Sequence, residues 1–144
     1  IDCSWVIRFR LHSCTPFYTP ILVRAYRDAL RYNPNPDSKT LTATAAGWYY
    51  PGIESSPVSL ETWYTAVCTY DVDTGTQTFY LNGSLVGTSN DSNSGSTGSW
   101  SFGELEGTFA TADISHFSAW SRTLTAAEAL RLHNSGADIT YADL

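Results

Sequence analysis

Apolar and polar residues alternate strictly at the start of the chain. Because successive side chains of a strand point to opposite faces, residues 1–12 are predicted to form a strand with one buried and one solvent-facing side. The predicted buried side carries Cys3, Trp5, Ile7, Phe9 and Leu11, and the opposite side carries Arg8, Arg10 and His12.

Residues 63–87 are predicted to form three short strands joined by two tight turns. Asp73-Thr74-Gly75 makes the first turn, because glycine adopts positive φ without a Cβ clash. Asn82-Gly83 makes the second, since this dipeptide suits a type I′ hairpin. In the first of these strands, Tyr64, Ala66, Cys68 and Tyr70 share one face, and Trp63, Thr65, Val67 and Thr69 share the other.

The remaining pattern completes a set of short elements. Further strands are predicted at 21–26, 29–32, 39–46, 100–105 and 109–120, with a tight link at Arg27-Asp28 between the first two. Residues 88–99 are predicted to be a flexible loop, because their small polar side chains cannot be buried to offset the ordering entropy.

One helix is predicted near the C-terminal end. Thr125 and Glu128 have the spacing of a capping box, in which each side chain satisfies a free amide of the first turn. The helix is expected to run from Thr125 to His133, with Gly136 as its stop signal. The tail 137–144 alternates weakly and could add a short final strand.

Composition agrees with this pattern and excludes some function classes. Charged residues make up 15% of the 144 positions, against roughly 25% in an average domain. Together with 14% aromatic residues, this favours a single all-β sandwich domain over residues 1–144. The net charge is −6 without a basic stripe, so no nucleic acid partner is expected. No apolar run approaches the roughly 18 residues that span a bilayer, so no membrane insertion is expected.

The cysteines and the polar composition bear on the compartment. Cys68 lies on an alternating apolar face and is predicted to be a buried free thiol. Cys3 and Cys14 flank the first strand, and a bridge between them would leave Cys68 single. The chain contains one Lys and two acceptor sequons, which begin at Asn82 and Asn90. These features favour an extracellular, glycosylated protein; the chain has no Met, so we expect it to be processed or part of a longer protein.

Three blocks carry a family resemblance. The pattern Trp-x-x-x-Val-x-Thr-Tyr-Asp, a glycine turn and Phe-Tyr-Leu-Asn-Gly over residues 63–83 resembles the middle of laminin-G-like domains. The block from Ile114 to His133 and the weaker match Cys3-Ser-Trp-Val-Ile-Arg-Phe9 follow the same family order. Those domains belong to the concanavalin A-like lectin/glucanase superfamily. The resemblance implies a two-sheet antiparallel jelly-roll sandwich with one short C-terminal helix, and it leaves function open because this fold hosts unrelated activities.

The resemblance also indicates how the chain departs from the family. Laminin-G-like domains have a strand before the block that Cys3 begins here, and this strand pairs near the C-terminal end. We expect it to be absent here, replaced by residues 137–144, or supplied by another molecule. An uncovered sheet edge is a template for pairing, so self-association into a larger assembly is one expectation.

No catalytic or metal site is expected. Glycosidases of this fold carry Glu-x-Asp-x-Glu on one strand, whereas Glu104-Leu105-Glu106 lacks the middle acid and is bracketed by glycines. Asp71-Val-Asp73-Thr-Gly75 resembles the opening of a calcium loop but has no Glu at the twelfth position. Ser115 stands where many relatives have an acid, so only a weak calcium ion, in the loop Asn90–Asn93, is considered.

Aromatic residues are the candidate ligand-binding groups. Trp48, Tyr49 and Tyr50 occupy a glycine-bounded loop, and Trp100 follows the predicted flexible loop. The C–H faces of sugars dock on aromatic rings, and rigid aromatic side chains lose little entropy on binding. The sequence therefore favours a non-catalytic extracellular module for adhesion or glycan binding. A structural subunit of a fibre, surface layer or virion, joined through sheet edges, is the alternative, and a glycoside hydrolase is a third.

Overall fold

The computed structural model describes residues 2–14, 18–25, 27–35, 37–44, 52–90, 98–105 and 107–137. Runs of aromatic and β-branched residues between turn residues form eleven strands in these ranges. The strands are β1 (Cys3–Cys14), β2 (Thr19–Arg24), β3 (Arg27–Asn33), β4 (Thr40–Ala43), β5 (Ile53–Glu54), β6 (Trp63–Asp71), β7 (Thr76–Leu81), β8 (Ser84–Asn90), β9 (Trp100–Phe102), β10 (Glu104–Leu105) and β11 (Thr108–Trp120). Helix α1 (Ala126–His133) is followed by a 3-10 turn at Asn134–Gly136.

The strands build two antiparallel sheets that pack face to face. One sheet has six strands in the order β10-β11-β1-β6-β7-β8, and the other has five in the order β5-β4-β3-β2-β9. The expectation of a two-sheet antiparallel jelly-roll sandwich with one short helix is confirmed. In β1, the predicted buried side is also confirmed, because Cys3, Trp5, Ile7, Phe9 and Leu11 all lie in the core between the sheets.

The opposite side of β1 differs from the prediction. Arg8, expected to face solvent, is only 7% exposed. Helix α1 and its flanking residues cover this side of the six-stranded sheet, where Leu124, Ala129 and Leu132 pack against Val6. Alternation shows which residues share a face, but it cannot show that a distant helix will cover the polar one.

The helix forms where the capping signal placed it. Thr125 is the N-cap, its hydroxyl accepts from the Glu128 amide, and the Glu128 carboxylate accepts from the Thr125 amide. The helix ends at His133, as predicted, but its cap is Asn134 and not Gly136. Asn134, with φ of 46°, takes the left-handed cap conformation two residues before Gly136, as asparagine tolerates at this position.

The central turns are confirmed, and four element boundaries are corrected. Asn82 and Gly83 both have positive φ, as a type I′ turn requires. Strand β3 already includes the predicted link Arg27-Asp28, and the chain instead bends at Ala25, which has φ of 50°. The predicted strands 39–46 and 100–105 are shorter or interrupted, and β8 continues to Asn90, because pairing with β7 orders residues 88–90 that composition assigned to a loop.

The cysteines are reduced. Cys68 is buried in the core as a free thiol, as predicted. Cys3 and Cys14 lie at opposite ends of β1, roughly 35 Å apart at about 3.3 Å per residue. A bridge between them, the alternative left open by the sequence, is therefore wrong. Among the described residues, no helix has the length and apolar character needed to cross a bilayer.

Candidate functional site

One side of the sandwich is formed by β9 of one sheet and by β10 and β11 of the other. Strand β9 is the last strand of its sheet, and β10 covers the outer edge of β11 at Thr108 and Phe109 alone. Gly103, with φ of 73°, lets the chain cross from one sheet to the other. Its amide donates to the Ile21 carbonyl at 3.1 Å, and its carbonyl accepts from the Ala110 amide at 2.8 Å.

Three aromatic rings meet on this side. The ring centroids of Trp100 and Phe117 lie 5.2 Å apart, and those of Phe102 and Phe117 also lie 5.2 Å apart, both edge to face. Phe117 pairs with Ile7 of the core strand, which directs its side chain inward. Phe102 is 43% exposed. We call the surface formed by Arg24, Trp100, Phe102 and Phe117 the β9–β11 flank.

Arg24 places a cation against this aromatic group. It pairs with Trp100 across β2 and β9, and its guanidinium carbon lies 4.9 Å from the centroid of the Trp100 ring. Its Nε is buried and has no hydrogen-bond partner in the described part of the chain. Burial raises the pKa of the neighbouring Cys3 thiol, and the charge and hydrogen bond of Arg24 partly oppose this rise. Arg24 therefore lies between a neutral thiol and an aromatic ring.

The other predicted aromatic residues lie outside the described residues. These residues are Trp48, Tyr49 and Tyr50. The residues that flank this stretch are ordered by backbone contacts. The Thr44 amide donates to the Ala29 carbonyl, and the Thr44 carbonyl accepts from the Trp5 indole. At Gly52, an added Cβ would lie 2.4 Å from the Thr42 methyl carbon. The ends of this loop are thus fixed on paired strands β4 and β5.

One sequon asparagine, Asn82, lies in the turn before β8, and the other, Asn90, ends β8. The Asn82 side-chain oxygen accepts from the Thr65 amide at 2.9 Å, while the Asn82 backbone amide donates to the Thr65 carbonyl. Asn90 is exposed, and its side-chain oxygen accepts from the Thr76 hydroxyl at 3.3 Å. Asn82 thus has a role in hairpin geometry, whereas Asn90 presents its side chain to solvent.

The described residues of the predicted acidic motifs lie at strand ends and turns. Asp71 accepts from the amides of Asp73 and Thr74 at the β6–β7 turn. Glu104 is exposed and accepts from the Gly107 amide at 3.3 Å, as a hairpin end requires, and Glu106 lies outside the described residues. In the part of the chain that is described, no group of three potential metal ligands occurs.

A second polar cluster lies on the outer face of the six-stranded sheet. The guanidinium carbons of Arg8 and Arg10 lie 4.5 and 5.2 Å from the centroid of the Trp63 ring. Arg10 also binds Asp113 at 2.5 Å, and His12 lies within 3.1 Å of the same carboxylate. Opposite charges are paired here, which indicates a stabilising network that joins β1, β6 and β11.

Among the described residues, Trp100 is the one predicted ligand-binding residue, and it lies in the flank. Sequence reasoning missed Arg24, Phe102 and Phe117. The spacing Trp100-x-Phe102 was a signal, since residues two apart on a strand share a face. Nothing local could have shown that Phe117, on a strand of the other sheet, would meet both rings.

Known proteins share this fold. A model of the concanavalin A-like lectin/glucanases superfamily, of laminin-G type, matches residues 18–129. No curated protein matches the chain. A proposed carbohydrate-binding protein of Bacteroides ovatus superposes with a TM-score of 0.71 and 19% identity, over 88% of this chain and 39% of the other.

Two further solved structures show the same architecture. A sialidase of Trypanosoma rangeli gives a TM-score of 0.72 at 16% identity, over 94% of this chain and 23% of the sialidase. A heptameric SAP-like pentraxin of Limulus polyphemus gives 0.66 at 15% identity, over 92% of this chain and 69% of the pentraxin. The chain thus spans 23% and 39% of the sialidase and the Bacteroides protein. At these identities the likeness shows the fold alone.

Proposed function

Because the chain belongs to the concanavalin A-like lectin/glucanase superfamily, we propose that it is a non-catalytic module that binds glycans at the β9–β11 flank. The observation that carries this proposal is the exposure of Phe102 beside Trp100 and Phe117. A large apolar ring exposed next to two others offers a surface on which the C–H face of a sugar can stack.

The flank has the rigidity that binding favours. Phe117 is packed against the core, and Trp100 is fixed by the paired strands β2 and β9. Rings that are already ordered lose little conformational entropy when a ligand docks, so more of the contact energy appears as affinity. The fold likeness to the proposed carbohydrate-binding protein of Bacteroides ovatus supports the same class of function.

The aromatic loop is proposed as a second contact surface. Trp48, Tyr49 and Tyr50 are candidates on sequence grounds, and the fixed positions of Thr44 and Gly52 would hold the ends of such a loop. We further propose an extracellular location, since the sequons and the low Lys content favour it. The exposed hairpin position of Glu104 supports binding rather than hydrolysis.

A glycan array with matched variants tests the site. Phe102→Ala should weaken binding by about tenfold or more, because an exposed stacking ring is lost. Phe109→Ala is the control: Phe109 is 56% exposed on β11, and the next residue, Ala110, packs against the core, so Phe109 points away from the flank. Equal binding by the two variants, with both folded, would contradict the site. Trp48→Ala tests the loop separately.

A structural role is the second candidate, and one observation favours it. Beyond Phe109, the outer edge of β11 has no strand partner among the described residues. Unpaired amides and carbonyls along such an edge accept a strand from another molecule. Light scattering should then show an average molecular mass that rises with protein concentration. Ile114→Lys places a charge on this edge and should reduce the association. A constant monomer mass for the unmodified chain would argue against assembly.

A further inference from the structure

We propose that the flank selects an acidic glycan, and that Arg24 binds the sugar's carboxylate. This inference rests on the proposed function, because it specifies the class of sugar that the same flank recognises. The evidence for the acidic class comes from the surroundings of Arg24 and not from the aromatic rings. An experiment can therefore refute the acidic class without refuting glycan binding.

Arg24 is a cation for which the described chain provides no anion. The ion pairs of the described residues involve Arg10, His12 and Arg122, each with a carboxylate within 3.1 Å. Arg24 takes part in none of them, and its buried Nε has no acceptor among the described residues. Native proteins seldom leave such a donor without a partner, so this one calls for an explanation.

The Cys3 thiol does not neutralise this charge. Burial raises the pKa of Cys3, so the thiol stays protonated and neutral beside Arg24 at neutral pH. The Trp100 ring attracts the cation through its π face but carries no net charge. The positive charge at the flank is therefore available to a ligand.

The guanidinium is held in a fixed position. Arg24 and Trp100 lie directly opposite each other on β2 and β9. The next residue, Ala25, donates its amide to the Ser99 carbonyl at 3.0 Å, and Gly98 packs so closely that an added Cβ would lie 2.5 Å from the Ala25 Cβ. The two strand ends are thus joined, and an ordered guanidinium loses less entropy when it binds an anion.

A carboxylate on a sugar ring suits this arrangement. A guanidinium matches a carboxylate in shape and can donate two parallel hydrogen bonds to it. The ring that bears the carboxylate would stack on Phe102, which belongs to the same short strand as Trp100. Since the chain has a net charge of −6, attraction of an acidic ligand must come from this local contact and not from the protein's overall field.

The other cation-π arginines have different surroundings. Arg8 and Arg10 share the Trp63 ring, and Arg10 is already bound to Asp113. The guanidinium carbon of Arg31 lies 4.7 Å from the Tyr18 ring, and its Nε is buried without a hydrogen-bond partner like that of Arg24, but Arg31 has a further interaction within the protein. Arg31 is therefore a matched control: it has the same type of stacking on the same sheet, away from the flank.

The experiment uses an array of neutral glycans, their counterparts with a carboxylate at C6, and their counterparts with a sulfate at C6. The intact chain should bind the carboxylated forms roughly ten to a hundred times more tightly than the neutral ones, as expected for charge-assisted hydrogen bonds. Arg24→Gln should abolish this preference but leave neutral binding, Arg24→Lys should keep part of it, and Arg31→Gln should not change it. Circular dichroism checks that each variant is folded.

The outcomes separate the two proposals. Neutral glycans bound as tightly as carboxylated ones would overturn the acidic class and leave the proposed function standing. The same follows if the preference survives in folded Arg24→Gln and Arg24→Lys. A clear preference for sulfate would also overturn the carboxylate assignment, whereas no binding to any glycan would overturn both proposals.

Discussion

The guanidinium carbon of Arg8 lies 4.5 Å from the centroid of the Trp63 ring, on a side of the sheet that the helix covers. The Arg8 terminal nitrogens donate to the Ser115 hydroxyl at 3.0 Å and to the Gly136 carbonyl at 2.5 Å. One buried side chain thus connects β1 to β6, to β11 and to the turn after α1. Arg8 has a structural role on a surface that alternation alone assigns to solvent.

Replacing Arg8 should therefore destabilise the fold. Arg8→Gln loses the stacking on Trp63 and leaves the Gly136 carbonyl without its donor, so the free energy of unfolding should fall by roughly 2 to 4 kcal/mol. Urea unfolding followed by circular dichroism measures this. Arg10→Gln is the control, because Arg10 and Asp113 are more exposed and such pairs contribute about 1 kcal/mol or less. Equal losses in both variants would contradict the role assigned to Arg8.

Substitutions of Gly83 and Gly107 should distinguish the energetic cost of backbone strain from that of a steric contact. Both have positive φ, of 77° and 80°. A Cβ at Gly83 would lie 2.9 Å from a Leu130 methyl carbon, whereas a Cβ at Gly107 meets nothing within 4 Å. Gly107→Ala should cost about 1 to 2 kcal/mol for the strain. Gly83→Ala should cost up to about 1 kcal/mol more, because the exposed Leu130 methyl can turn away but the Leu130 Cα and the His133 Cβ, each 3.3 Å from the added Cβ, must also give way. Thermal or urea unfolding compares them, and a smaller loss at Gly83 would refute the contact.

Glu128 should make the stability depend on pH in the acidic range. The hydrogen bonds from Arg122, then from the Thr125 amide, lower the pKa of Glu128 to about 2 from an ordinary 4.5. Because the folded pKa is the lower one, this contribution is present above pH 4.5 and is lost as the pH falls towards 2. NMR titration should locate the pKa, and Glu128→Gln should remove that part of the pH dependence.

The three histidines should titrate differently. His12 hydrogen-bonds Glu61 at 2.8 Å and also contacts Asp113, which raises the pKa of His12 above 6.5, whereas burial lowers the pKa of His116 and His133. The stabilisation from His12 is therefore full below pH 6.5 and is lost as the pH rises through the higher folded value. NMR titration of the imidazole signals measures the order, and Glu61→Gln should lower the His12 pKa alone. A His12 pKa below those of the other two would contradict this arrangement.

The chain's local pattern determined most of the architecture. The alternation in β1, the Asn82-Gly83 turn and the Thr125–Glu128 capping box each predicted an element that the structure contains, since they depend on neighbours within a few residues. The same locality explains the errors. Asn134 and Gly136 were both suitable helix stops, and strand pairing extended β8 into residues that resemble a loop.

The site depended on contacts that are distant in sequence. The spacing of Trp100 and Phe102 was visible in the sequence, but Arg24 and Phe117 come from strands 76 and 17 positions away from Trp100, and one of them belongs to the other sheet. Likewise, only the packing of α1 decided that Arg8 would be buried. Periodicity determines which side chains share a face. The packing of the sheets and the helix decides which faces are covered, and which rings and charges meet at the β9–β11 flank.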